Sequence, residues 1–90
     1  MAIIRVIPAN VRGRSEVAFD SHALARMQQR SITEMQVVAA LQQPDITGLR
    51  ADPGRFRVRR HYGQHHSIDV VFEEEPTRIV VITAVRVVRS

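Results

Sequence analysis

The sequence predicts an α+β domain in which two N-terminal helices pack on one face of a three- to four-stranded antiparallel sheet. Three observations predict it. The stretch from Phe19 to Pro44 has helical spacing and two separate capping signals. Everything after Asp52-Pro53-Gly54 alternates apolar with polar residues at a period of two, or forms a short apolar run. Finally, 90 residues with 44% hydrophobic content suit one small core. The expected layout is a single domain over 1–90: an N-terminal strand or arm over 1–16, a helical hairpin over 20–44, and antiparallel strands over 55–89.

Taken in order, Ala2 to Ile7 is apolar apart from Arg5 and suits a short strand, which Pro8 should stop. Asn10 to Ser15 reads as a polar, glycine-containing loop. Val17 and Phe19 then alternate with Ala18 and Asp20, which suits a second short strand. The first helix should start at Asp20 or Ser21, both good N-caps, and bury Leu24 and Met27 with Ala23 beside them. The second should start at Thr33, with Gln36 completing a capping box and Ile32 and Val37 placed for a hydrophobic staple. Val37, Val38 and Leu41 form its buried face. Pro44 ends it by forcing Gln43 out of helical geometry.

Register follows from the pleat. With Gly63-Gln64-His65 as a loop, Tyr62 faces His66, Phe56 faces Phe72 and Val58 faces Val70. On the other face Arg59 meets Asp69 and Arg55 meets Glu73. A slip of one residue would set the arginines against the apolar row. Ile79 to Val85 is nearly all apolar, as in a strand covered on both faces. Pairing Glu73 with Arg78 would put Val71, Val80 and Ile82 on the arginine face. The helices should then cover the face bearing Phe56, Val58, Val70, Phe72, Ile79 and Val81.

Composition narrows the function classes. Without cysteine there is neither a disulfide framework nor a cysteine-based zinc site. No apolar run approaches the ~20 residues of a membrane-spanning helix, and the apolar start is too short for a secretion signal, so a cytoplasmic protein is expected. The net charge is +4, and all 13 basic residues are arginine. Bias toward GC-rich codons explains that choice as readily as recognition of phosphate or carboxylate by a planar fork does. Placement favours recognition: Arg50, Arg55, Arg57, Arg59 and Arg60 share a short window with one acid, Asp52, whereas Glu73, Glu74 and Glu75 gather elsewhere.

A basic, partly apolar sheet face suits a single RNA strand. RNA can be cut without metal or cofactor, by a base that activates the 2′-hydroxyl, cations that stabilise the charge on phosphorus, and an acid for the leaving oxygen. A free histidine titrates near pH 6.5, so His61 or His22 is the candidate acid or base, with Arg57, Arg59 and Arg26 on phosphate. Arg55 and Arg60 are candidate RNA contacts, and Tyr62 a stacking residue. His22, Arg26 and Arg30 recur at spacings of four and form a row along the first helix. Both groups also have plain structural readings: a solvated edge strand kept charged against aggregation, and a helix-terminal histidine bonded to backbone. A non-catalytic module whose basic, apolar face docks an acidic protein segment is the alternative function. His61, His65, His66 and Asp69 fit no standard zinc spacing. No Ser-His-Asp order, P-loop or dinucleotide fingerprint is present.

Phe19, His22-Ala23, Arg26-Met27, Arg30, Ile32-Thr33, Val37, Pro44, Arg60-His61-Tyr62-Gly63 and Ile82-Thr83 together resemble the bacterial domain-of-unknown-function family 4258 over about residues 17–85. That family looks like a relative of the RelE, ParE and BrnT toxins and of contact-dependent toxin tips. The resemblance implies a RelE-like fold, a ribonuclease class of activity, and an antitoxin or immunity protein as partner. It carries His22, Arg26 and Arg30 over as motif residues and adds Thr83 on the last strand. Position 31, often glycine in the family, is serine here. The motif thus nominates a helix row and the pleat nominates a strand group; the two can form one site only near a sheet edge.

Overall fold

The computed structural model describes residues 2–88. Its elements are β1 (Ile3–Val11), β2 (Arg14–Asp20), α1 (Ser21–Gln29), α2 (Glu34–Gln42), β3 (Phe56–Tyr62), β4 (His66–Glu74) and β5 (Arg78–Val88). The strands form one five-stranded sheet in the order β1-β2-β5-β4-β3. β2 and β5 are parallel, and the other neighbours are antiparallel. This corrects the expected three- to four-stranded antiparallel sheet: the sheet is mixed and larger. Met1 and Arg89, at the ends of the expected N-terminal and C-terminal segments, lie outside the described residues.

The missing strand pairing comes from the N-terminus. Residues 10–15 are mostly strand, closed by a two-residue turn at Arg12 (φ 51) and Gly13 (φ 81). Positive φ at both central positions is the geometry of a type I′ hairpin, whose twist matches the flanking strands. Arg12 gives no signal for it. Pro8 does not stop β1 either. It lies opposite Glu16 in the outermost strand, where a residue without an N–H is tolerated, and the register shifts between Pro8 and Val11. β2 then takes the place beside β5 (Val17 opposite Ile79, Phe19 opposite Val81). A parallel neighbour requires a crossover, and the intervening α1, α2, β3 and β4 provide it.

The β3–β4 register is the expected one at every pair, from Phe56–Phe72 to Tyr62–His66. The β4–β5 register differs: Glu73 faces Val80, not Arg78. A bulge then leaves Ile82 between Val81, opposite Phe72, and Thr83, opposite Val71. The core lies between the sheet and the helices. Val17, Phe19, Val58, Ile68, Val70, Phe72, Ile79 and Val81 meet Ala23, Met27, Val37, Ala40 and Leu41. Phe56, expected in that layer, is 41% exposed. It stacks on Phe72 at 5.6 Å between ring centroids, and the Arg12 guanidinium sits 5.5 Å from the Phe56 ring and 5.3 Å from the Phe72 ring.

Both helices are capped as the sequence predicts. Asp20 Oδ1 accepts from the Ala23 N–H at 2.7 Å. Thr33 and Gln36 exchange both capping-box bonds, at 2.9 and 3.1 Å. α1 ends in a Schellman arrangement: the Ile32 N–H donates to Met27 O at 2.8 Å and the Ser31 N–H to Gln28 O at 3.2 Å. Met27 and Ile32 are both buried there. Among the described residues, no helix is long and apolar enough to cross a membrane.

Candidate active site on the open sheet face

Alternation along β3 sends Val58 into the core and Arg57, Arg59 and His61 to the face the helices leave uncovered. β4 lies beside them and supplies two buried polar side chains. Asp69, 0% exposed, sits between two arginines. Arg59 binds it with both arms of its fork, Nε to Oδ1 at 2.6 Å and Nη2 to Oδ2 at 2.9 Å. Arg57 donates to Oδ2 from Nε at 2.7 Å and approaches it with Nη2 at 2.6 Å. Burial pushes the Asp69 carboxyl up, but the hydrogen bonds from Arg59 and Arg57, with their charges, outweigh it and hold the carboxyl below its usual range. The hydrogen bond from Asp69 in turn raises the Arg59 guanidinium above its ordinary value, against a smaller opposing effect of burial.

Ser67, also fully buried, places its Oγ 2.8 Å from His61 Nδ1. When Nδ1 carries the proton, this bond holds the ring and leaves the Nε2 lone pair available. The backbone N–H of His61 donates to Asp45 Oδ2 at 2.8 Å. The segment around Asp45 also covers the outer edge of β3: Asp45 and Ile46 N–H both donate to Arg59 O, and Arg59 N–H donates to Ile46 O at 2.9 Å. β3 is therefore not a bare edge. Arg50, Ala51, Asp52, Arg57 and Val71 line a cleft of about 230 Å³ on the same face.

The other nominated residues are engaged elsewhere. Arg55 lies 3.4 Å from Glu73, as the expected register requires, and 3.9 Å from Asp52. Arg60 donates to Gln43 O at the end of α2, at 2.8 Å, and its guanidinium lies 5.7 Å from the Tyr62 ring centroid. Tyr62 packs against the core, and its hydroxyl donates to Gln36 O at 3.0 Å. These two side chains thus fasten α2 to β3.

The helix row lies at a different place. β2 pairs with β5 over Arg78–Val81, so the rest of β5 has β4 as its sheet neighbour on one side. Arg30 fills the other side, with Nη1 donating to Ala84 O at 2.8 Å and to Thr83 Oγ1 at 3.3 Å. Arg86 reaches back to Arg30 O at 2.7 Å and Ser31 O at 2.6 Å. Both arginines bind α1 to β5. Arg26 Nε lies 3.5 Å from His22 Nε2, and both residues are exposed. Strands are spaced about 4.8 Å apart, which puts β3 roughly 10 Å from β5. The structure therefore brings Arg57, Arg59 and His61 together, joins Arg30 with Thr83 and His22 with Arg26, and does not merge the groups.

Sequence reasoning missed Ser67 and Asp45. Ser67 was legible in one sense, since the expected register already set it opposite His61. Asp45 was not, because it reaches β3 through an irregular loop. Among the described residues, no three His, Cys, Asp or Glu side chains are placed to share a metal ion.

A family model described as "Domain of unknown function (DUF4258)" matches residues 19–86. The match spans both helices, β3, β4 and most of β5, and it leaves out β1 and most of β2. No curated protein and no solved structure matches the chain.

Proposed function

The chain belongs to this family of domains of unknown function, and on that basis and the geometry of β3 and β4 we propose that it is a toxin-type, metal-independent ribonuclease acting through the open sheet face. One observation carries the reading. His61, Arg59 and Arg57 share a face, and each is held by a buried polar residue of the neighbouring strand. Groups fixed in this way need little reorganisation when charge develops in a transition state.

In the proposed reaction His61 Nε2 removes the proton from a ribose 2′-hydroxyl while Ser67 holds Nδ1–H. The 2′-oxygen attacks the adjacent phosphorus, the bond to the 5′-oxygen breaks, and that oxygen takes a proton from the imidazolium or from water. The products are a 2′,3′-cyclic phosphate and a 5′-hydroxyl. Arg57 and Arg59 stabilise the phosphorane charge. With one carboxylate between two guanidinium groups, the cluster keeps a net positive charge for this purpose. The resemblance to toxin ribonucleases supports an antitoxin or immunity protein as partner and action on cytoplasmic RNA.

The test is incubation of folded protein with transfer or messenger RNA at low salt in the presence of chelator. Fragments ending in cyclic phosphate are expected. His61→Ala should reduce cleavage by about 100-fold or more with little change in melting temperature. Intact RNA after incubation with protein free of inhibitor would sink the proposal.

A second reading, docking of an acidic protein segment, is favoured by the half-buried Val71, Val85 and Val87 beside the arginines. The products separate the two: cleavage leaves RNA fragments with 2′,3′-cyclic phosphate ends, whereas docking of an acidic segment leaves RNA intact.

A further inference from the structure

The two edges of the sheet are treated differently. β3 is covered by the chain itself, through the bonds between Arg59 and Asp45–Ile46. β1 has no such cover: among the described residues, no backbone bond links Ile3–Ala9 to anything except β2. An uncovered edge presents unpaired N–H and C=O groups, and folded proteins usually blunt it with charge, proline or a bulge. β1 has Pro8 and the single charge Arg5, yet Ile4 is 60% and Val6 41% exposed. Val6 faces Ala18, away from the core.

Beside this edge runs a groove of about 490 Å³ between β1 and α2, lined by Ile7, Pro8, Ala9, Met35, Val38 and Ala39. Met35, at 84% exposed, stands on its rim with its thioether chain in water. Arg5 and Glu34 also line the groove and pair with each other at 2.9 Å. A large apolar side chain, a bare strand edge and an apolar groove in one place mark a docking surface.

Charge identifies the occupant. The chain carries +4, but this surface holds one cation and one anion and is neutral. A patch with one charge of each sign is complementary to itself under a twofold rotation, which brings each Arg5 toward the partner's Glu34. A strongly acidic or basic partner gains nothing there. The arginines of β3 lie at the opposite edge of the sheet, four strands away, so two copies can meet at β1 without bringing those strands together.

We infer that β1 and the β1–α2 groove are a self-association surface, on which a second copy of this chain docks antiparallel about a twofold axis near Val6. Val6 and Ile4 are covered by the partner's β1, and each Met35 enters the partner's groove. The inference does not depend on ribonuclease activity.

Sedimentation equilibrium should give a mass twice the chain's 10.2 kDa. Val6→Arg and Met35→Glu should each return it to the monomer mass with an unchanged circular dichroism spectrum. Because the chain has no cysteine, Val6→Cys gives a second readout that tolerates loss of the charge variants. Mild oxidation should link it into a disulfide dimer, while Gln64→Cys, at the β3–β4 turn, should stay unlinked. A monomer at every concentration, a dimer that ignores both charge variants, or a Val6→Cys protein that does not link would each overturn the inference.

Discussion

Ser31 takes the left-handed conformation, φ 55, that closes α1. A side chain there places Cβ against the backbone and costs stability that glycine avoids. Its hydrogen bonds are backbone bonds, so they survive substitution. Ser31→Gly should therefore stabilise the protein by about 0.5–1 kcal/mol and raise Tm by roughly 3–6 °C, as read by thermal denaturation. Asp69 is the opposite case. It is buried and accepts from two guanidinium groups that are each about a third exposed or less. Asp69→Ala should destabilise the protein by about 2 kcal/mol, less than the 3–5 kcal/mol of a fully buried pair, because the freed arginines can reach water. Chemical denaturation measures this directly.

At the scale of the element, β3 and β4 act as one unit. Val58, Val70 and Phe72 hold one face in the core, and the Arg57–Asp69–Arg59 cluster closes the other. The cluster makes this pairing sensitive to acid in a definite direction. The Asp69 carboxyl is lowered in the folded protein, so the folded state binds this proton more weakly than the unfolded chain. The stabilisation is complete above the ordinary carboxylate value of about 3.9 and is lost as pH falls through the lower folded value. The stability gap between wild type and Asp69→Asn should thus be constant near neutrality and shrink as pH falls below about 4. A gap independent of pH in that range would show that the carboxyl is not held down. α2 depends on the same pair of strands through Tyr62 and Arg60. Tyr62→Phe, which removes only the bond to Gln36 O, should cost about 1 kcal/mol and leave the proposed RNA cleavage unchanged.

Across the whole molecule, the sheet separates two chemistries. Its arginine-rich edge and open face lie at β3, and its neutral apolar edge lies at β1. The RNA binding proposed for the first should lose affinity steeply with added salt, while the self-association inferred for the second should not. Titrating both against salt in one preparation tests this division. Much of this molecule was legible residue by residue. The helix caps, the β3–β4 register and the Arg59–Asp69 pair depend on contacts between residues at most sixteen positions apart, so local periodicity and turn signals specify them. The five-stranded mixed sheet was not legible. Its β2–β5 pairing joins residues about sixty positions apart, and its N-terminal hairpin turns on Arg12, a residue with no intrinsic preference for the turn it makes.

The candidate site divides in the same way. By itself the sequence determined that Arg57, Arg59 and His61 share one face, since a strand alternates whatever lies around it. It also determined that His22, Arg26 and Arg30 share a helix side. Only the tertiary structure decided which of these side chains remain available. Arg30 is drawn to the carbonyl of Ala84 because β2 ends before β5 does, and Arg60 and Tyr62 are drawn to α2. His61 and the two arginines stay on the uncovered face, fixed by Ser67 and Asp69. The physical reason is that a buried backbone carbonyl must be paired. Which side chain pairs it depends on where distant strands stop, and no local pattern records that.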